Sequence, residues 1–330
     1  MNATALICSA IVVWFGAYSP SFAGSEFQYL PEHPGKMAVT VTGSHVHLKK
    51  AESAEYNHNF IQLRSLLARQ PVLSSPRGVE IIGYFRPLDY QPKATNLPIP
   101  GFGYLRFHFY HLASKTGKPV YICCTTDEIF ASVNNPDAGL EVYGEQDFPT
   151  KAFYEPRKVG ELHGFPVYRT ESGNDVMVLS RSSIPLWLPV TREEFVTVWL
   201  KRWQRQAAGA PAVDTVTPEL VRSHQKTLDA MAPDERKMQA RELSWDPFMP
   251  KLAPVGSNEG RPLVRTNPAW FNSKLSRAVF QLLIFRFSYN GDQNYEGTAL
   301  TSPGSIAPYR LWQVLHSSDW KQISGVLTDN

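Results

Sequence analysis

Six side chains of a predicted β-hairpin form a surface that is too aromatic for an ordinary solvent face and too polar for a core. The hairpin covers residues 104–126, with strands at Tyr104–Leu112 and Val120–Thr126 around a turn at 114–118. Successive side chains of a strand point to opposite faces. One face therefore carries Tyr104, Arg106, His108, Tyr110, Tyr121 and Cys123. We predict that this face contacts the ligand.

The length of the turn sets the pairing within this hairpin. With residues 113–118 as the loop, the predicted pairs are Leu112–Pro119, Tyr110–Tyr121, His108–Cys123 and Arg106–Thr125. A histidine beside a thiol lowers the pKa of the thiol and makes it nucleophilic. We therefore expect Cys123 to react faster than Cys124. The alternative is a half-exposed sheet face that a loop covers and that binds nothing.

The sequence contains few other residue patterns that are typical of metal binding, catalysis or cofactor binding. His45 and His47 share one strand face, as a zinc or copper site could use, but no third ligand is identifiable and we predict no metal site. The chain has no nucleophile elbow, no phosphate-binding loop and no zinc-binding helix signature. Gly101-Phe102-Gly103 lacks the third glycine of a dinucleotide fingerprint. The sequence identifies neither a catalytic residue nor a cofactor.

A helix and several further strands must position the hairpin. Tyr56, Phe60, Leu63 and Leu67 recur at helical spacing, which predicts an amphipathic helix over residues 53–69. The predicted strands are Met37–Leu48, Val79–Arg86, Phe165–Thr170, Asp175–Arg181 and Pro185–Leu188, and residues 134–160 are predicted as irregular turns. The apolar run Val279–Tyr289 predicts a strand buried on both faces, at the centre of the sheet.

The clearest helix signal begins at Thr191. Thr191 and Glu194 have the spacing of a capping box, in which each side chain bonds the backbone N–H of the other residue. Phe195, Trp199 and Trp203 follow at i, i+4 and i+8, which favours a core-facing stripe over a ligand-binding face. A polar helical hairpin is predicted from 217 to 245. Its first helix begins at Thr217-Pro218, and its second covers Pro233–Leu243.

Together these elements predict an α+β fold, with a mostly antiparallel β-sheet, packed helices and a helical-hairpin excursion. The predicted organisation is a signal peptide at 1–23, an α+β domain at 24–206, a helical hairpin with flanking linkers at 207–262, and a C-terminal strand and helix at 263–330 that return to the main sheet. The signal peptide is inferred from an apolar stretch that ends in Ser21-Phe22-Ala23, which predicts cleavage before Gly24. An uncleaved anchor is the alternative.

The composition argues against a nucleic-acid-binding protein and against a membrane-spanning one. The 330 residues contain 33 Lys plus Arg and 30 Asp plus Glu, a net charge of +3, so no nucleic-acid partner is predicted. After signal removal no transmembrane segment is expected. Trp245, Trp270 and Trp320 lie near connectors and are candidates for an exposed carbohydrate-stacking surface, although packing is the preferred interpretation.

We predict an exported protein, periplasmic or secreted, that binds a small molecule, a polysaccharide or a protein partner in the cell envelope without catalysing a reaction. The motivating observations are the export signal and the lack of strong catalytic signatures. A hydrolase acting on envelope or extracellular polymers is the alternative. A structural or assembly protein that docks through residues 217–245 is a third hypothesis.

Overall fold

The structure is a computed structural model, and it describes residues 28–42, 48–88, 97–121, 127–143, 151–209, 216–244, 246, 251–288 and 303–329. These residues form two mostly antiparallel sheets with helices packed on them, so the predicted α+β fold is confirmed. Among the helices of these ranges, none is long and apolar enough to cross a membrane.

The larger sheet has nine strands in the described ranges. Their spatial order is β1 (Met37–Val41), β2 (Val79–Pro87), β3 (Gly101–Leu112), β5 (Glu128–Val133), β15 (Leu282–Ser288), β10 (Asp175–Ser180), β9 (Phe165–Arg169) and β8 (Arg157–Leu162), and β4 (Pro119–Tyr121) pairs with the end of β3. Strands β1 and β2 are parallel, and the other neighbours are antiparallel. A parallel pair needs a crossover, which helix α1 (Lys50–Ala68) supplies.

A smaller sheet packs beside the larger one. Its strands are β13 (Lys251–Leu252), β12 (Arg241–Ser244), β14 (Arg261–Thr266), β7 (Ala152–Tyr154) and β6 (Glu141–Tyr143) in spatial order, and β11 (Trp187–Pro189) pairs with β14. Helix α3 (Arg192–Gly209) packs on this sheet, and α4 (Val216–Ala230) packs on α3. The remaining helices are α2 (Pro71–Ser74), α5 (Pro233–Lys237), α6 (Pro303–Ser317) and α7 (Trp320–Ile323), followed by a 3₁₀ turn at Ser324–Val326.

The main core lies between one face of the larger sheet, called the inner face here, and helices α1, α6 and α7. The predicted stripe Tyr56, Phe60, Leu63 and Leu67 is fully buried in it, as expected. Tyr56 also donates a hydrogen bond to the Ile99 carbonyl at 3.0 Å. Because these helices occupy the inner face, side chains of the opposite parity point to the outer face of the sheet.

The C-terminal strand lies where the sequence predicted it. β15 is between β5 and β10, at the centre of the larger sheet. Its first four residues are buried. A continuous apolar run suits a strand that is covered on both faces.

The helix predicted after Thr191 is present, but only one half of its predicted capping box is formed. The Glu194 N–H donates to the Thr191 hydroxyl at 3.1 Å, as a cap requires. The Glu194 carboxylate instead lies 3.4 Å from Arg265, so the reciprocal half of the capping box is replaced by an ion pair. The aromatic stripe of α3 is buried in the core of the smaller sheet.

Several predictions were wrong. The predicted helix Pro233–Leu243 ends at Lys237, and β12 follows, because Arg241 and Glu242 pair with β14 and tertiary pairing overrides helix propensity. The region 134–160 contains β6, β7 and the start of β8 rather than turns alone. By contrast, the preferred packing interpretation is confirmed for Trp270 and Trp320, which are buried, so neither supplies a stacking surface. Trp245 lies outside the described residues.

Candidate functional site

The predicted face of β3 exists, and the pairing at its end is as expected. Leu105, Phe107 and Phe109 are buried in the main core, whereas Tyr104 and Arg106 lie on the outer face. Strands β3 and β4 pair Tyr110 with Tyr121 and Leu112 with Pro119. These are the pairs that the turn length predicts.

The pairing predicted for Arg106 was wrong. Arg106 lies opposite Glu128 of β5, and not opposite Thr125. The register therefore shifts between β4 and β5. Cys123, Cys124, Thr125 and the His45-x-His47 pair lie outside the described residues, so the His108–Cys123 contact stays a prediction.

Four aromatic side chains form the central feature of the outer face. We call Tyr84, Phe102, Tyr104 and Phe130 the aromatic face; each is half-buried. Tyr84 lies opposite Tyr104, Tyr104 opposite Phe130, and Phe130 opposite Arg286. The registers thus align one row across β2, β3, β5 and β15. With about 4.8 Å between neighbouring strands, this row spans about 14 Å.

Guanidinium groups stack on these rings. Arg106 lies 4.4 Å from the centre of the Tyr104 ring, and Arg286 lies 4.4 Å from that of Phe130. Arg86 is exposed and lies 4.9 Å from the Phe102 ring. A guanidinium on a ring is a cation–π contact that leaves its N–H groups able to bond a ligand. The aromatic face therefore combines partly exposed ring surface with hydrogen-bond donors that are stacked on it.

Glycine in β3 makes room beneath this face. A Cβ on Gly103 would clash with the Phe85 ring and with the backbone of Tyr84. Gly101 likewise leaves space for the Tyr56 hydroxyl. The Gly101-Phe102-Gly103 segment thus lets β3 approach its neighbours closely while Phe102 points outward.

The other predicted site residues form a cluster at the hairpin end of β3. The Tyr110 hydroxyl donates to Glu80 at 2.8 Å, and burial with this contact raises the pKa of Tyr110 to about 12. Tyr121 is 44% exposed and lies 5.9 Å from Tyr110, centre to centre. The His108 ring is buried and lies 5.8 Å from that of Tyr121. His33 packs on Tyr110 at 4.4 Å. The structure thus brings five of the six predicted residues to one sheet face.

The part of the outer face beside the aromatic face is covered. Trp270 is buried with Val176 and Ile284, over β10 and β15. Arg286 therefore lies at the boundary between the covered half of the outer face and the aromatic face. Arg286 has no hydrogen-bond partner for its Nε among the described residues. Burial lowers the pKa of this guanidinium, because removal from water disfavours the charged form.

A cleft of about 370 Å³, lined by several charged side chains, separates the edge of the larger sheet from the smaller sheet. Its lining includes Tyr154, Arg169 and Arg261. A second cavity of about 460 Å³ adjoins it and reaches Arg286. Glu141 and Glu171 line both. The cleft and the aromatic face are therefore connected through Arg286.

A buried carboxylate lies behind the cleft. Glu242 accepts a hydrogen bond from the Tyr154 hydroxyl, and burial raises the pKa of the Glu242 carboxyl. The Arg261 guanidinium lies 3.4 Å from the centre of the Tyr154 ring and contacts Glu141 at 2.7 Å. Because Glu242 is only 3% exposed, it supports the Tyr154 side chain and does not face the cleft.

Sequence reasoning missed Tyr84, Phe102, Phe130 and Arg286 as members of the site. The alternation in Val79–Arg86 could have placed Tyr84 and Arg86 on one face. Arg286 is a charged residue inside an apolar run, which is a signal in itself. The contact between these residues depends on strand order, and local patterns do not reveal strand order.

No protein family, curated protein or solved structure matches this chain.

Proposed function

We propose that this chain is an exported, non-enzymatic binding protein of the cell envelope, and that its aromatic face binds a saccharide chain. The observation that carries the proposal is the row of half-buried rings with stacked guanidinium groups on the outer face. Sugar rings offer flat C–H surfaces that pack on aromatic rings, and their hydroxyls need hydrogen-bond partners at the ring edges. Arg86, Arg106 and Glu128 supply such partners.

The charges on this face favour a saccharide over a nucleic acid. Arg106 is paired with Glu128 at 3.0 Å, and Glu80 lies on the same face. A phosphate backbone would meet these carboxylates, and nucleic-acid affinity depends mainly on unopposed positive charge. The row length of about 14 Å suits an extended ligand rather than a single small ring.

Calorimetric titration with neutral and acidic oligosaccharides tests this proposal. We expect Tyr84→Ala and Tyr104→Ala to weaken binding at least about tenfold, since covering about 60 Å² of ring surface contributes about 1.5 kcal/mol. Tyr309→Ala is the matched control, because Tyr309 is also half-buried with an arginine over its ring, but lies on helix α6. Equal loss in all three variants, or binding of none of the saccharides, would contradict the proposal.

Export is part of the proposal and has its own test. Ser21-Phe22-Ala23 supports cleavage before Gly24. Mass spectrometry of the mature protein should therefore find Gly24 at the amino terminus. An intact Met1 in the membrane fraction would support an anchor instead.

The alternative is a hydrolase of the same class of polymer. The observation in its favour is that Glu141 and Glu171 line both cavities, and paired carboxylates cleave glycosidic bonds. Both carboxylates are engaged by Arg261, however, at 2.7 Å and 3.6 Å. Release of reducing ends that disappears in Glu141→Gln and Glu171→Gln would support the hydrolase.

A further inference from the structure

We propose that the ligand of the aromatic face is acidic, and that Arg286 anchors its carboxylate in the adjoining cavity. This inference rests on the proposed saccharide function and adds the chemical class of the saccharide. Arg286 lies at the end of the row that begins with Tyr84, where the aromatic face meets the cavity of about 460 Å³.

Among the described residues that line this cavity, Arg286 is the one cationic side chain, and its charge is poorly compensated. Its Nε has no hydrogen-bond partner among the described residues. Glu128 is the acid whose charge acts on it, but that carboxylate is bonded to Arg106 at 3.0 Å. A guanidinium withdrawn from water in this way gains most from a ligand that brings a negative charge.

The acidic residues of the cavity share one other guanidinium. Arg261 contacts both oxygens of Glu141, at 3.1 and 2.7 Å, and lies 3.6 Å from Glu171. With Arg286 these four charges balance, but Arg286 itself forms no ion pair with a carboxylate of the described residues. A ligand carboxylate would pair with this guanidinium, whereas the guanidinium would repel a ligand ammonium group.

The remaining lining is suited to a hydrated acidic sugar. Thr170, Ser172 and Asn174 place two hydroxyls and an amide on the wall of the cavity. They hold one another in place, with Asn174 donating to Ser172 at 2.9 Å and the two hydroxyls 2.9 Å apart. A sugar ring packed against the edge of the Phe130 ring would place a ring carboxylate within reach of Arg286, because the guanidinium lies 4.4 Å from the centre of that ring.

The test compares two forms of one ligand. A uronic-acid trisaccharide and the same trisaccharide with its carboxylates reduced to alcohols are titrated into the wild-type protein by calorimetry at one ionic strength. We expect the acidic form to bind at least about tenfold more tightly, the gain from one charge-assisted hydrogen-bonded pair. Arg286→Gln should bind both forms equally, whereas Tyr104→Ala should weaken both. Arg181→Gln, at an exposed arginine paired with Asp329, should behave as wild type.

The outcomes separate the two claims. Equal binding of both forms to the wild type, or a preference that survives Arg286→Gln, overturns the anchor and leaves the saccharide function standing. Binding of neither form overturns both. Thermal unfolding guards against misfolding: without ligand, Arg286→Gln should have a melting temperature no lower than wild type, because the substitution removes a desolvated charge. A large decrease would show that Arg286 supports the fold, and would contradict the anchor.

Discussion

Two substitutions three residues apart on β3 test whether the aromatic face is open. Tyr104 is half-buried on the outer face, and Phe107 is fully buried on the inner face. Both are aromatic residues in the same strand, so local strand propensity is similar in the two cases. Their contributions to the free energy of unfolding should nevertheless differ, because only one of them is surrounded by core.

The expected magnitudes follow from the contacts. The Tyr104 ring meets Tyr84 edge-on at 4.3 Å and Arg106 at 4.4 Å. An aromatic pair contributes about 0.5–1.5 kcal/mol and an exposed cation–π contact about 0.5–1 kcal/mol. Tyr104→Ala should therefore cost about 1–2.5 kcal/mol. Phe107→Ala leaves a cavity in a packed core and should cost about 3–5 kcal/mol.

Urea denaturation of the two variants measures this difference, provided that their m-values agree with that of the wild type. The free energies of unfolding of the two variants should differ by about 2 kcal/mol. If Tyr104→Ala is as destabilising as Phe107→Ala, the Tyr104 ring is part of a core, and the aromatic face is not available to a ligand.

Further predictions concern the rest of the molecule. Thr191→Ala should cost about 1 kcal/mol in denaturation through loss of the cap on α3. Trp199→Ala should cost about 3–5 kcal/mol, and a neutral result would place the α3 stripe on the surface. Gly103→Ala should cost about 1–3 kcal/mol, because its Cβ would clash with Phe85. For Glu242, the raised pKa means that the folded protein binds a proton more tightly than the unfolded chain, so stability falls as pH rises from the ordinary value of 4.5 to the raised value. Over that pH range, the wild type should lose free energy of unfolding relative to Glu242→Gln. Denaturation at several pH values measures this, and a difference between the two proteins that does not change with pH would contradict the burial of Glu242.

The sequence predicts those parts of the fold that depend on the residue pattern within one segment. The α1 stripe, the α3 stripe and the two faces of β3 are set by periods of 3.6 and 2, which each segment carries within itself. The Tyr110–Tyr121 pairing followed from the length of one turn. These features need no knowledge of the distant chain.

The parts that failed depend on pairing between distant segments. Glu242 lies in a stretch with helix-forming residues, yet it joins a sheet because β14 offers an open edge twenty residues later. Arg106 faces Glu128 and not Thr125 because β5 replaces β4 as the partner of β3 beyond the hairpin. The aromatic face itself combines residues from β2, β3, β5 and β15, and its row appears only when the strand order is known.

Hydroxyl-radical footprinting of the aromatic side chains, with and without a bound oligosaccharide, shows whether the saccharide lies on the aromatic face. Oxidation reports the solvent access of each ring, and half-buried rings react measurably. Bound ligand should lower the oxidation of Tyr84, Phe102, Tyr104 and Phe130 together, while Tyr309 on α6 keeps its rate. Protection of Tyr309 with no change at Tyr104 would place the ligand on another surface and contradict saccharide binding by the aromatic face.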